Sequence, residues 1–475
     1  MKQTLIGFSL LLFAVIAISI FYGYPSMLQM LPQGSHIWRQ SDCMAMTQNY
    51  QQFHLSFLQP ATYNLQSTNG NVAGEFPLFY FIAAQFPNAA LALRSIHSVI
   101  FLAGITSTYF IAFHFLQRRL LAAFCCIIMF TSPLLVFYGN NFLSDVPALS
   151  FAFIGWAIFL HAYKNEKVFW IWISFCCFTF AALLKASEAI NFMIAFVFMV
   201  KTKKTESKFF IPYSLFLIPV AWYFYAKSYN LNNHDTYYFL SVFPVWKLSF
   251  YDIGLGIWRM IVSNSNNYFW RPTAVVLILS VWFLIKNWKK LNTDLRILIF
   301  ASLGFTIMYI VFFFQKMIGH EYYYVPFFIF ALFGIIGLLK VYNFYHAENV
   351  FAHTLIFLCL WINIFYCKIF VAEKLTLPLY NGYLSSNGMQ TFLEENGVDK
   401  NKIIISLPDE TPNKTLYQLK RKGYTEFNDY ESILKNKKAD FLIIEKSFTK
   451  QHQALEPYLN DSIGNFNGFV FYKLK

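Results

Sequence analysis

The chain has 475 residues, of which 57% are hydrophobic, 21% aromatic and only 13% charged, and its mean hydropathy is +0.45. This excludes an ordinary soluble enzyme and predicts a polytopic α-helical membrane protein, because a hydrocarbon core about 30 Å thick accepts helices of ~20 apolar residues. The formal charge of +13 does not point to nucleic acid: residues 1–370 hold 23 Lys and Arg against 11 Asp and Glu, and residues 371–475 hold 14 against 13, so the basic excess belongs to the apolar part, where topology signals and lipid headgroups account for it.

The first apolar run, 4–22, follows Lys2. It is long for a signal peptide and no small-residue cleavage site follows Gly23-Tyr24-Pro25, so a retained helix is expected. Further runs at 92–115, 120–138, 146–162, 168–184, 188–200, 209–227, 272–286, 295–314, 322–339 and 350–370 bring the expected total to about eleven transmembrane helices. Arg118/Arg119, Lys164/Lys167, Lys201/Lys203/Lys204/Lys208, Lys286/Lys289/Lys290 and Lys340 then fall on the side of Lys2. The positive-inside rule makes that side cytoplasmic, with the C-terminus outside.

The stretch 76–91 is apolar, but Pro77 and Pro87 bracket too few residues for a span, and counting it as one would invert every later basic loop. It is expected to be an interfacial or re-entrant helix of a first outer loop, 23–91. A second outer loop, 228–271, is rich in Asn, Tyr and Trp, a mixture that suits a sugar or, equally, an aromatic belt at headgroup level. These loops are expected to form the site of a membrane domain spanning 1–372.

Residues 373–475 have the composition of a soluble domain. A helix at 388–396 stopped by Gly397, a strand at 402–406, a helix at 413–422 ending at Gly423, and strands at 439–445 and 469–474 predict a small extracytoplasmic α/β domain. The seven cysteines show neither a disulfide framework nor zinc spacing, and no HxH, HExxH or CxxC occurs, so no divalent metal is expected.

Chemistry concentrates in HIWRQSD, His36 to Asp42, followed by EFPL from Glu75. Carboxylates and cations on the outer side, where positive-inside bias should deplete cations, suggest an outer-facing site that binds something anionic, such as an anionic headgroup. Asp42 and Arg39, one helical turn apart, could take a proton from an acceptor hydroxyl and hold a departing phosphate, or could be a plain ion pair. Glu75 before Phe76-Pro77 also describes an ordinary helix start. Lys185 and Glu188 are a candidate self-neutralising pair, with a phosphate contact by Lys185 as the alternative. Asp145, beside Asn140 and Asn141, is a helix cap or an acceptor contact. His320, Glu321 and Tyr322 open a helix that could receive an anion or lie in an aromatic belt.

The order HIWRQSD, EFPL, Arg94, YGNNFLSDVPAL, LLKASE, HEYYYVP resembles the bacterial branch of the dolichyl-phosphate-mannose protein mannosyltransferase family, whose relatives include the lipid A aminoarabinose transferase. The resemblance covers residues 1–370. It implies the glycosyltransferase C fold, a polyprenyl-phosphate sugar such as an undecaprenyl-phosphate sugar as donor, transfer on the outer face of a bacterial inner membrane, and inversion at the anomeric carbon. Asp42 matches the catalytic aspartate, and Glu75 matches the second first-loop motif. His36, Arg39, Lys185, Arg271, His320, Glu321 and Tyr322 become candidate donor contacts, and Asn141 and Asp145 acceptor-side candidates. Two departures stand out: the aminoarabinose transferase has Lys-Pro-Pro where this chain has Glu75-Phe76-Pro77, and the acid that often follows the catalytic Asp is Cys43. The expected function is therefore sugar transfer to a hydroxyl on a glycan, lipid or protein. A flippase of lipid-linked saccharides and a non-catalytic assembly subunit are the competing classes.

Overall fold

The computed structural model describes residues 2–203, 206–238, 241–346, 349–376, 388–449 and 453–474. Lys204, assigned to the cytoplasmic side from sequence, lies outside them. The chain forms two compact units.

The first unit holds 1–28, 94–222 and 241–373 and is helical. All eleven apolar runs lie on helices. Six helices are long and apolar enough to cross a membrane, Ala89–Leu116, Asp145–Lys164, Ser207–Asn232, Thr293–Gly319, Phe327–Tyr345 and His353–Leu375, and a bent pair makes a possible seventh. The chain is a multi-pass membrane protein, and six or seven crossings, rather than about eleven, are what length and composition support among the described residues. The difference lies in short helices: Ile190–Lys201 has 12 residues, a rise of only ~18 Å.

The run at 120–138 is not one helix. It breaks into Arg119–Met129 and Pro133–Gly139, inclined at 72°. Pro133 lacks the N–H that a continuous helix needs and disfavours helical geometry in the residue before it; Ser132, extended at φ −74°, ψ 115°, caps the second piece. Elsewhere in this unit Trp156 is fully buried against Phe159, Phe178 and Phe333, and its indole N–H donates to Asn191 Oδ1 at 2.8 Å.

The second unit joins 29–93, 223–240 and 374–475. Compactness therefore draws a different line from the chain-order division at 372/373, because the C-terminal residues share a unit with the first outer loop. The stretch 76–91 contributes a six-residue helix, Leu78–Ala83, far too short to span a bilayer.

The C-terminal residues form a five-stranded mixed sheet: β1 (Ile404–Leu407), β2 (Gly423–Thr425), β3 (Phe441–Glu445), β4 (Ser462–Phe466) and β5 (Phe469–Lys473), in the order β2-β1-β3-β5-β4. β1 is parallel to β2 and β3, while β5 runs antiparallel to β3 and β4. Alternate residues Ile405, Leu407, Leu442 and Ile444 share one face and bury it against Ile433, Leu434, Phe448 and Leu455.

The expected helix at 413–422 stops at Leu419, with Lys420 left-handed at φ 52°, and Gly423 opens β2 instead of ending the helix. A Cβ on Gly423 would sit 2.0 Å from Ile404 O. Its amide donates to Tyr63 O at 3.0 Å and its carbonyl accepts from Leu65 N at 2.9 Å, so the first loop is pinned to the sheet edge. A second pin is Gly34, at φ +70°, whose missing side chain lets Ser35 N reach Lys374 O at 2.9 Å.

Candidate functional site

Within the second unit the Ile37–Phe53 helix starts from His36, left-handed at φ 53° and without a side-chain cap. His36 stacks on Trp38, ring centroids 6.4 Å apart. One turn in, Asp42 is completely buried. Its Oδ2 lies 3.6 Å from the Arg39 guanidinium and accepts from Tyr237 Oη at 3.1 Å, and its Oδ1 accepts from Asn413 Nδ2 at 2.8 Å. Arg39 also pairs with Glu75 and lies over the Tyr238 ring, 5.5 Å from its centre. Glu75 is thus a partner of Arg39 rather than a first-turn acid of the Leu78–Ala83 helix, which has none.

Burial pushes the Asp42 carboxyl from its ordinary 3.8 up to about 6; Arg39, Asn413 and Tyr237 pull it back toward the charged form, and Glu75 opposes them. A carboxylate at about 6 is matched to proton abstraction near neutral pH. Tyr238 Oη, also buried, has no hydrogen-bond partner among the described residues.

At the far end of the same helix, eleven residues and ~16 Å from Asp42, a cavity of about 560 Å³ is lined by Phe53, Gln59, Asn69, Asn71, Tyr229 and Lys422 together with Leu55 and Asn233. Amides beside aromatic faces suit a hydroxyl-rich ligand.

The first unit gathers a different group. Lys185, extended at the end of Val168–Leu184, pairs with Asp145 Oδ1 at 2.8 Å and lies 5.4 and 5.1 Å from the Tyr322 and Tyr323 ring centres. Its ion-pair partner is therefore Asp145 rather than the expected Glu188, which accepts from Asn191 Nδ2 at 2.9 Å. Asp145 is the first residue of its helix, Ser144 holding the cap position. Glu321 accepts from Tyr138 Oη at 3.1 Å and Asn267 Nδ2 at 3.0 Å, and His320 stacks on Tyr322.

Two sequence candidates have local roles. Asn141 accepts from Phe142 N at 2.7 Å, and its carbonyl accepts from His97 Nδ1 at 2.9 Å. Arg271 is exposed and donates to Ser265 Oγ and Val262 O at 3.2 and 3.3 Å. Arg94 is buried, donating to Asn140 O at 2.8 Å with its guanidinium over Phe142.

Asn413 and Asn64 were not singled out by sequence reasoning. Asn413 is separated from Asp42 by 371 positions, and no periodicity or motif marks it; a lone Asn before a helix reads as a cap. Among the described residues no three His, Cys, Asp or Glu side chains gather where they could hold a metal ion.

No protein-family model matches the chain, and no curated protein resembles it in sequence. Its fold does have solved counterparts. ArnT from Cupriavidus metallidurans superposes with a TM-score of 0.66 in the apo state and 0.65 bound to undecaprenyl phosphate, at 10% identity over 97% of each chain. An oligosaccharyltransferase from Archaeoglobus fulgidus gives 0.51 at 13% identity, over 92% of this chain and 68% of its own. The arabinofuranosyltransferase AftD from Mycobacteria gives 0.60 at 10% identity, over 98% of this chain and 40% of its own. These neighbours are glycosyltransferases of the C class, and the chain has their fold, the glycosyltransferase C fold.

Proposed function

We propose that this protein is a glycosyltransferase of a bacterial inner membrane that moves a sugar from a polyprenyl-phosphate donor to an acceptor hydroxyl on the periplasmic side, its N-terminus cytoplasmic and its C-terminal domain periplasmic. The observation that carries this reading is Asp42: a fully buried carboxylate with its pKa raised to about 6, held between Arg39, Tyr237 and Asn413, in a fold whose solved examples include ArnT bound to undecaprenyl phosphate. Asp42 takes the acceptor proton, the acceptor oxygen bonds to the anomeric carbon, and the bond from that carbon to the phosphate oxygen breaks with its electron pair. Arg39 offsets the charge of the departing polyprenyl phosphate. With Glu75 engaged by Arg39, one carboxylate is left as base, which supports a single displacement with inversion. The amide-lined cavity on the same unit supports a hydroxyl-rich acceptor. The positive charge comes from side chains, so turnover is expected to survive EDTA.

The test uses the full-length protein in detergent with synthetic undecaprenyl phosphates carrying a panel of hexoses and pentoses, plus a membrane extract as acceptor. Mass spectrometry reads the released undecaprenyl phosphate. Wild type is expected to consume one donor, and Asp42→Asn to be slower by a factor on the order of 10² to 10⁴. Wild-type turnover by the variant would remove Asp42 from the mechanism. A second reading, transport of lipid-linked saccharides, is favoured by the broken helix at Arg119–Met129 and Pro133–Gly139. Turnover in detergent, where no barrier exists to cross, separates the two.

A further inference from the structure

We propose that the catalytic centre extends into the C-terminal domain, with Asn413 as the positioning residue that holds Asp42 in its ionised, oriented form. The inference rests on Asp42 being the base, as above, and adds a role for a part of the chain that the fold's chemistry does not by itself require.

Asn413 occupies the cap position of the Lys414–Leu419 helix, yet it makes no side-chain cap bond, although Asn is among the best residues for that task. The helix start is served by others: Asp409 Oδ2 accepts from Thr415 N at 2.8 Å, and Thr411 Oγ1 accepts from Lys414 N at 3.1 Å. The Asn413 side chain is thereby released to point elsewhere. Its Nδ2 donates to Asp42 Oδ1 at 2.8 Å, and its Oδ1 accepts from Asn64 N at 3.0 Å. Asn64 in turn donates to Pro412 O at 2.8 Å and Asn428 Oδ1 at 2.9 Å. The amide of Asn413 is therefore fixed in orientation, with its N–H₂ toward the carboxylate and its carbonyl oxygen turned away. All these groups are buried or partly buried.

A neutral donor fixed on a buried carboxylate does two things. It stabilises the charged form, opposing the desolvation that favours protonation. It also fixes the carboxylate plane through Oδ1, with Oδ2 held on the side of Arg39 and Tyr237. The charged and titratable groups around Asp42 are Arg39 and Cys43 on the same helix, Glu75 behind Arg39, and Tyr237 and Tyr238 from the 223–240 segment; of these Arg39, Tyr237 and Glu75 act on its ionisation. The Asn413 loop brings Asp409 and Lys414, which pair with each other at 3.9 Å.

The experiment needs no knowledge of the donor. Thermal unfolding of the full-length protein is followed from pH 4 to 9 in wild type and Asp42→Asn. The pH window in which the two diverge reports the ionisation of Asp42. Repeating the pair in an Asn413→Ala background is expected to leave the lower edge of the window, set by the unfolded chain, where it is and to carry the upper edge, set by the folded carboxyl, about one pH unit higher. Asn413→Asp, of the same size, sets a second carboxyl against the first and moves it further, and it serves if the alanine variant does not fold. Asn64→Ala, which loosens the same loop without touching Asp42, is expected to lower the midpoint and leave the window in place. With the panel donor that wild type consumes, the acid limb of kcat should follow the same shift while KM for donor holds. An unmoved window in Asn413→Ala or Asn413→Asp overturns the proposal. Wild-type turnover by Asp42→Asn instead overturns the function reading, and with it the place of Asn413 in a catalytic centre, while a shifted window would still show that Asn413 sets the ionisation of Asp42.

Discussion

Replacing Asp42 by Asn should slow transfer by a factor on the order of 10² to 10⁴ and at the same time remove a pH-dependent weakness in the fold. Asp42 is fully buried and its carboxyl is raised from 3.8 to about 6. Below pH 3.8 the folded and unfolded chains are both protonated there, and the group costs nothing. Between pH 3.8 and 6 the unfolded chain releases its proton while the folded one keeps it, so stability falls as pH rises. Above 6 both are ionised and the cost stays constant at about two pH units, or about 3 kcal/mol. Asn keeps the shape and carries no charge, so the wild-type and Asp42→Asn curves should diverge across this window by about 3 kcal/mol, a difference on the order of 5–10 °C in midpoint for a unit of this size. Scanning fluorimetry of the detergent-solubilised proteins at half-unit pH steps reads it directly. Parallel curves from pH 4 to 8, or a variant that weakens as pH rises, would refute the account of Asp42 as a buried, strained base.

Three further outcomes follow from the same contacts. Glu75→Gln removes a carboxylate that competes for Arg39 and repels Asp42, so the acid limb of the pH–rate profile should move down, where loss of a merely structural contact would leave it in place. Lys185→Ala strands the buried Asp145 without its 2.8 Å partner and should destabilise by about 3–5 kcal/mol; retention of undecaprenyl phosphate by native mass spectrometry tests whether Lys185 also serves as an anion contact. Gly423→Ala places a Cβ 2.0 Å from Ile404 O and should cost on the order of 2–4 kcal/mol, seen as a lower midpoint and as faster amide exchange at Ile404–Leu407.

The parts of this molecule legible in sequence are those governed by local periodicity. Apolar runs gave helices, because the 1.5 Å rise and the hydrocarbon solvent act within ~20 residues. Strands β1, β3 and β5 are visible for a similar reason, while β2, only three residues long and opened by Gly423, and β4, a mostly polar strand interrupted by Gly464, carry too little apolar pattern. Arg39 and Asp42 were readable as a pair because one helical turn separates them. The pairing of Lys185 was misjudged because the spacing to Glu188 was within reach, whereas the true partner, Asp145, lies on another helix. Tyr237 was seen only as one of many aromatic residues in a loop, and Asn413 not at all: their roles come from tertiary contacts, on which propensity is silent.

Asn413 leaves the ribosome 371 residues after Asp42. At ~5–20 residues per second that is an interval of roughly 20–70 s, during which nearly every apolar helix has been made while the base still lacks its amide. A chain cut short just before Asn413 would therefore still carry the apolar helices, but with β1 alone of the five strands and with Asp42 lacking the amide that engages its Oδ1. Completion of synthesis, rather than insertion, is then the event that brings the Asn413 amide to Asp42.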